Sequence, residues 1–147
     1  MLPEAKNYLD SLNQARANML KAIEGLTPDA LNWAPLSDDT NSLIVLAVHS
    51  LGAERKWIHQ LVGQRTVERD RAAEFRVRAE NVSMLNAQYA AVALETENIL
   101  AALTEKEMSA EREKYSVRYC ILHIIEHYNE HVGQMTLTRQ LWEQSRK

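Results

Sequence analysis

Cysteine is nearly absent from this chain, which has one, Cys120, among 147 residues. A lone thiol excludes an internal disulfide and a cysteine-built zinc site, so any metal would rest on histidine nitrogen and oxygen ligands. Glycine and proline are also scarce, at four and three residues, which leaves little material for a turn-rich β fold. Long hydrophobic runs are missing. "LIVLAV" at 43 to 48 and "YAAVAL" at 89 to 94 fall far short of the roughly 20 residues of a bilayer span. The opening "MLPEAKNYLD" has no basic stretch followed by an apolar one, so the expectation is a cytoplasmic protein without membrane association. Charge of one sign is lacking too: seventeen basic against twenty acidic side chains give −3, in no block that could follow a nucleic-acid backbone. Nucleic acid is therefore excluded as an expected partner.

What remains is an ordinary globular composition, 46% apolar and 25% charged, in a length that suits one domain over residues 1–147. Tyr8, Leu12, Ala15, Met19, Ala22 and Leu26 recur at alternating spacings of four and three, the seam of a bundle helix, predicted over residues 3 to 24. Thr27 and Pro28 read as the cap and first position of a short helical turn, and Trp33 and Pro35 punctuate the crossover that follows. A second long helix is predicted from Asn41 or Ser42 to Val62, stopped by Gly63. The segment from Gly63 to Asn81 is charged and without apolar period, and reads as a solvated connection with one or two helical turns. A third long helix is expected over 83 to 103 and a fourth over 116 to 143, with Ser116 as its cap. Four amphipathic segments and no convincing strand predict an all-α four-helix bundle with a long crossover between the first two long helices.

The stretch "HIIEHYNEHVGQ", residues 123 to 134, holds three of the five histidines. Each helical residue turns the side chain by about 100°. On that geometry His131 points furthest toward the apolar stripe of the last helix, His127 sits at its border and His123 leans toward solvent. His49 occupies the same flank position on the second helix, whereas His59 falls further out and reads as exposed and without a role. Residues four apart on a helix sit about 6 Å from one another, so two imidazoles can reach one ion at about 2.0 to 2.1 Å. A third from a neighbouring helix would complete a set that leaves positions open.

Several readings compete here. "HYNEH", His127 to His131, matches the H-x-x-E-H pattern of inverted zinc proteases, with Glu130 as the water-activating group. Too little chain follows His131 to supply their downstream carboxylate. A ferritin-like di-iron site needs Glu-x-x-His on two helices, and no histidine here has a glutamate three residues before it. A solvated polar face with no metal is the remaining alternative.

Three segments resemble one family. "NSLIVLAVHSLGAERKWI" resembles the second helix of the DinB/YfiT-like metal-binding bundles. "ILHIIEHYNEHVGQMTLTRQLW" is similar to their last helix, with two histidines four apart followed by Gly-Gln and an arginine, and "LNWAPLSDDTNS" is similar to their Trp-x-Pro crossover. The resemblance implies a four-helix bundle in which His49, His127 and His131 hold one divalent ion. It also implies a small-molecule substrate, since characterised relatives use their metal to activate a low-molecular-weight thiol for transfer or isomerisation.

Three imidazoles with open positions suit zinc or nickel best, and iron or manganese next. Such an ion would favour a bound thiolate or hydroxide near neutral pH. Thiol transfer is the leading expectation. Hydrolysis by metal-bound water and a non-catalytic binding or sensor module are the alternatives, and no catalytic side chain is assigned. Gln134 and the helix 1 set Asn7, Gln14 and Asn18 are candidates to orient the imidazoles, Lys56 and Gln60 to meet an anionic group, and Trp33 to roof a pocket. A second apolar stripe on the second helix, Ile44, Val48, Leu51, Ile58 and Val62, calls for a further neighbour, which is expected to be the partner in a homodimer.

Overall fold

The computed structural model describes residues 1–80 and 82–147; Asn81, the last residue of the predicted charged connection, lies outside the described residues. The elements are α1 (Pro3–Ile23), α2 (Pro28–Asn32), α3 (Leu43–Glu54), which continues as a π-helix over Arg55–Val62, α4 (Arg71–Glu74), α5 (Ser83–Ala102), α6 (Glu105–Met108), the strands β1 (Glu111–Arg112) and β2 (Tyr115–Ser116), and α7 (Val117–Gln144). The four-helix bundle is formed by α1, α3 with its π extension, α5 and α7. The boundaries follow the capping residues: Thr27, Ser42 and Ser116 each accept a hydrogen bond from the backbone N–H three residues on, satisfying a donor that a helix start leaves free. The two strands form a two-residue hairpin leading into α7. Its turn holds Glu113 at φ 58°, a conformation for which the sequence offers no Asn-Gly signal.

Two arginines of α7 fix its direction. Arg118 donates from Nε and Nη2 to the Glu4 carboxylate at 2.7 and 2.9 Å, near the start of α1. Arg139 donates from Nη1 to the carbonyls of Lys21 at 3.1 Å and Glu24 at 3.0 Å, at the end of α1. The two helices therefore run parallel, and Arg139 adds a donor to carbonyls at the helix end.

Pairings along α3 show that it is parallel to α5: Tyr89 donates to the Ala47 carbonyl, Thr96 meets Glu54 and Gly63 lies against Ile99. Parallel neighbours in sequence need a connection that returns the whole length of the helix. The charged segment after Gly63 is that return strap. It is less solvated than its composition implies, because Glu74 and Ala79 are buried. Asn32 ties it to the first crossover, donating to the Ala79 carbonyl at 2.9 Å and accepting from the Ala79 N–H at 2.8 Å.

Two expectations change. His59 is buried, at 6% exposure. The reason is the π-helix, in which Gly63 N–H donates to the Ile58 carbonyl five residues back at 2.8 Å. Each residue there turns the helix by less than an α-helical step, and the lag carries His59 from the polar flank toward α5. The second apolar stripe is likewise covered inside this one chain: Ile44, Leu51, Ile58 and Val62 are all buried, and Val48 packs partly buried against the same core. The close neighbour that the stripe calls for is supplied within the bundle, so the stripe carries no argument for a second copy. No helix among the described residues is long and apolar enough to cross a membrane.

Candidate metal centre

Because α3 and α7 run antiparallel, the flank of one faces the flank of the other, and His49 meets the pair from α7. Ligand atoms of His49, His127 and His131 all lie within 4.8 Å of one another. The Nε2 atoms of His49 and His127 are 3.0 Å apart. Two nitrogens bound to one ion at about 2.0 to 2.1 Å are separated by about 2.9 Å at a right angle and about 3.3 Å at the tetrahedral angle, so this spacing fits a shared ion.

The other ring nitrogens explain why Nε2 is the inward atom. Nδ1–H of His131 donates to Gln134 Oε1 at 2.8 Å, while Gln134 Nε2 donates weakly to Glu130 at 3.5 Å. A protonated Nδ1 leaves the His131 Nε2 lone pair free. His49 Nδ1 lies 3.4 Å from Glu74 Oε2, within ion-pair reach though not a formed hydrogen bond. His127 Nδ1 is sealed from solvent without a partner. His127 is therefore the deeper of the α7 pair, reversing the expected order, since the contact of His131 with Gln134 lies at the exposed edge.

Burial, and then the imidazoles of His131 and His49, push the His127 pKa down to about 3. Burial also lowers that of His49, outweighing the opposing pull of Glu74. Both rings are neutral at physiological pH, the form in which imidazole binds metal. Imidazole lone pairs converging in a half-buried site could hold a metal ion.

Glu74 was hidden in the charged strap. Arg69 clamps its carboxylate with bonds of 2.6 and 2.9 Å, and Asp70 caps the single turn of α4 that carries it. Gly52 on α3 leaves the room: a Cβ there would stand 2.6 Å from the Glu74 Cδ. Phe75, the next residue, packs its ring 4.8 Å from that of His49. No apolar period announces such a residue; the only sequence signal is a glutamate flanked by basic residues in an otherwise unpatterned segment.

Other candidates fall elsewhere. His123 packs on Trp57 with ring centres 4.2 Å apart and does not point into solvent as expected. Gln14 and Asn18 bond each other at 3.1 Å, not a histidine. Lys56 stands 3.7 Å from Glu113. Cys120 is buried, and burial raises its thiol pKa. Trp33 does wall a cavity, between the crossover and α7.

His59 belongs to a second polar cluster. Its Nε2 lies 3.1 Å from Thr96 Oγ1 and 3.3 Å from the Val92 carbonyl. Thr96 spends its own hydroxyl proton on Glu54, so it accepts from His59, which must carry its proton on Nε2. Glu54, fully buried, also accepts from Arg16 at 2.5 and 3.0 Å and from Tyr128 at 2.6 Å.

A helical bundle whose antiparallel second and last long helices bring three histidines together is a DinB/YfiT-like protein. Residues 8–144 match the family described as mycothiol-S-transferase, and the chain belongs to that family. A crystal structure of a conserved protein of locus from Enterococcus faecalis has the same fold, with a TM-score of 0.74 at 16% identity over 96% of this chain and 98% of that one. No curated protein matches the chain.

Proposed function

We propose that this protein is a divalent-metal-dependent transferase that conjugates a low-molecular-weight thiol of the mycothiol class to an electrophile, with His49, His127 and His131 as the metal ligands. The observation that carries the reading is the convergence of three imidazoles in a chain of a thiol-transferase family. Zinc or nickel suits the donor set best, with iron and manganese next. A divalent ion held there lowers the pKa of a bound thiol and so supplies a nucleophile near neutral pH.

The chain's residues prepare that site. Gln134 keeps the proton of His131 on Nδ1, and Glu74 offers an acceptor beside Nδ1 of His49, so both rings present Nε2. Burial of His127 excludes water from one side. In the transfer, the thiol proton passes to solvent, sulfur bonds to the electrophilic carbon, and the leaving group departs with the electrons of its bond to that carbon. All three histidines come from one chain, so the chemistry needs no second copy. A cytoplasmic setting, where small thiols and Cys120 stay reduced, suits the reading.

The test is elemental analysis of protein purified without a histidine tag, followed by conjugation of mycothiol to 1-chloro-2,4-dinitrobenzene. The expected result is about one equivalent of a divalent ion and a conjugation rate that His49→Ala and His131→Ala abolish while remaining folded. Stoichiometric metal in those variants would show the ligands misassigned. Metal that depends on them, with no thiol reaction, would move the reading to hydrolysis or to a binding module.

A further inference from the structure

The groove between α3 and α7 does not end at the histidines. Leu46 lies one turn before His49 on α3, and Gln134 lies one turn beyond His131 on α7, each about 4.5 Å along its helix. Both border a cavity of 640 Å³ walled on one side by the Trp33 crossover, within the roughly 300 to 1,000 Å³ of small-molecule sites. Gln134 thus touches the candidate metal centre through His131 and the cavity at the same time.

Most of the surface the walls expose is carbon. Trp33, Pro35, Leu36, Leu46, Leu137 and Leu141 supply carbon surface. Leu36 and Leu137 are 64% and 56% exposed, a large apolar display concentrated on one concave feature. No lysine or arginine lines it, and its polar groups, Asp39, Thr40, Asn41, Gln134, Thr138 and Ser145, include one carboxylate, which disfavours an anion. The walls are held in place: Trp33 packs on Trp142 with ring centres 5.6 Å apart, and Leu36 N–H donates to Thr40 Oγ1 at 3.0 Å. The cavity bordered by Glu74 differs in charge, setting Arg55, Arg69, Glu68 and Asp70 beside an apolar wall that includes Val48 and Val77.

We propose that the crossover cavity is the acceptor site and that it takes an uncharged electrophile with an apolar body, such as an aryl or alkyl halide, with its reactive carbon toward Gln134. This rests on the transferase reading for its chemistry, and binding alone tests the site.

The experiment titrates 2,4-dinitrotoluene, an uncharged nitroaromatic without a leaving group, into the full chain in the absence of thiol and follows quenching of tryptophan fluorescence. Leu137→Asp and Leu36→Asp alter exposed positions and leave the fold intact, as circular dichroism would verify. Each is expected to weaken the probe about tenfold or more by placing a charge against it, with metal content unchanged. Leu94→Asp, on an exposed face of α5 outside the cavity, is expected to match wild type. Trp33→Phe should remove much of the quenching signal. Probe binding that is absent, or indifferent to Leu137→Asp, overturns the proposal. So does light scattering that finds a dimer dissociated by Leu137→Asp, because a second copy would then be the occupant. If probe binding follows the cavity but no thiol conjugation is ever found, the site stands and the transferase reading falls. If conjugation proceeds with an acceptor KM unmoved by Leu137→Asp, the transferase stands and the cavity assignment falls.

Discussion

Glu54 and His49 sit five residues apart on the same helix, yet the polar groups around them are treated in opposite ways. Around Glu54 the accounting closes: one oxygen takes Arg16 Nη2 and Thr96, the other takes Arg16 Nε and Tyr128. Four helices contribute, and His59 extends the chain of bonds. Around His49 it does not close. Two imidazole nitrogens face each other at 3.0 Å, and two Nδ1 atoms are buried without a hydrogen bond. Buried polar atoms are almost always paired; the facing Nε2 pair is the part of this set that a shared ion would complete, while the unpaired Nδ1 atoms lie on the other side of each ring. One cluster fixes the relative positions of the helices; the other has lone pairs to spare.

The largest test of this contrast is to remove one member from each. Glu54→Ala strands Arg16 in the core and should cost about 3 to 5 kcal/mol, read as a fall in the urea midpoint. His131→Ala should stay within about 1 kcal/mol in metal-free protein. Equal losses would erase the distinction. Next in size is the ion itself: zinc at a hundredfold its dissociation constant should raise the stability of wild type by about 2.7 kcal/mol and leave His49→Ala unmoved. A chelator titration followed by thermal unfolding measures both.

Glu74→Ala should then weaken metal affinity about 10- to 100-fold with little change in fold, measured by competition with a chromogenic chelator. Gly52→Ala should move in the same direction by pushing the carboxylate away. An unchanged affinity in both would reduce Glu74 to a partner of Arg69.

The smallest effect is one of pH. Burial lowers the pKa of His59 from its ordinary 6.5, so below that value the unfolded chain binds the proton that the folded chain refuses, and stability falls as pH drops. Burial alone would raise the pKa of Glu54, but Arg16, Thr96 and Tyr128 together hold it below 4.5, so its contribution is full above that value and is lost on further acidification. His59→Gln should flatten the stability profile just below pH 6.5 and leave the steeper loss below 4.5 in place. His49 and His127 share the sign of His59, so the measurement is the difference between wild type and variant.

The same contrast separates what was legible in the sequence from what was not. Helices announce themselves through the period of their apolar residues, and α1, α5 and α7 follow from that seam, with Ser116 capping α7. The juxtaposition of His49, His127 and His131 was legible because flank positions on two antiparallel helices meet at the seam between them. Glu54 and Arg16 gave no such sign: a charged residue on a helix reads as surface unless its partner 38 positions away is known. Glu74 was obscured by the unpatterned strap, whose course became readable only once α3 and α5 proved parallel. His59 was misplaced because 100° per residue does not hold through a π-helix, and nothing in "RKWIHQLV" advertises the change.

That π segment has a genetic consequence. It holds more residues than an α-helix of the same length would, so removing one codon between Arg55 and Ile58 would let the helix close in α register. Everything upstream, His49 included, would stay where it is, and His59 with the residues after it would keep facing α5, because the lost residue subtracts about the same 100° that the π turn already lags. A comparison of related genes would therefore meet this element as a gap of one position, and a deletion scan of the gene would find here a site where losing one residue leaves the downstream face of the helix in place.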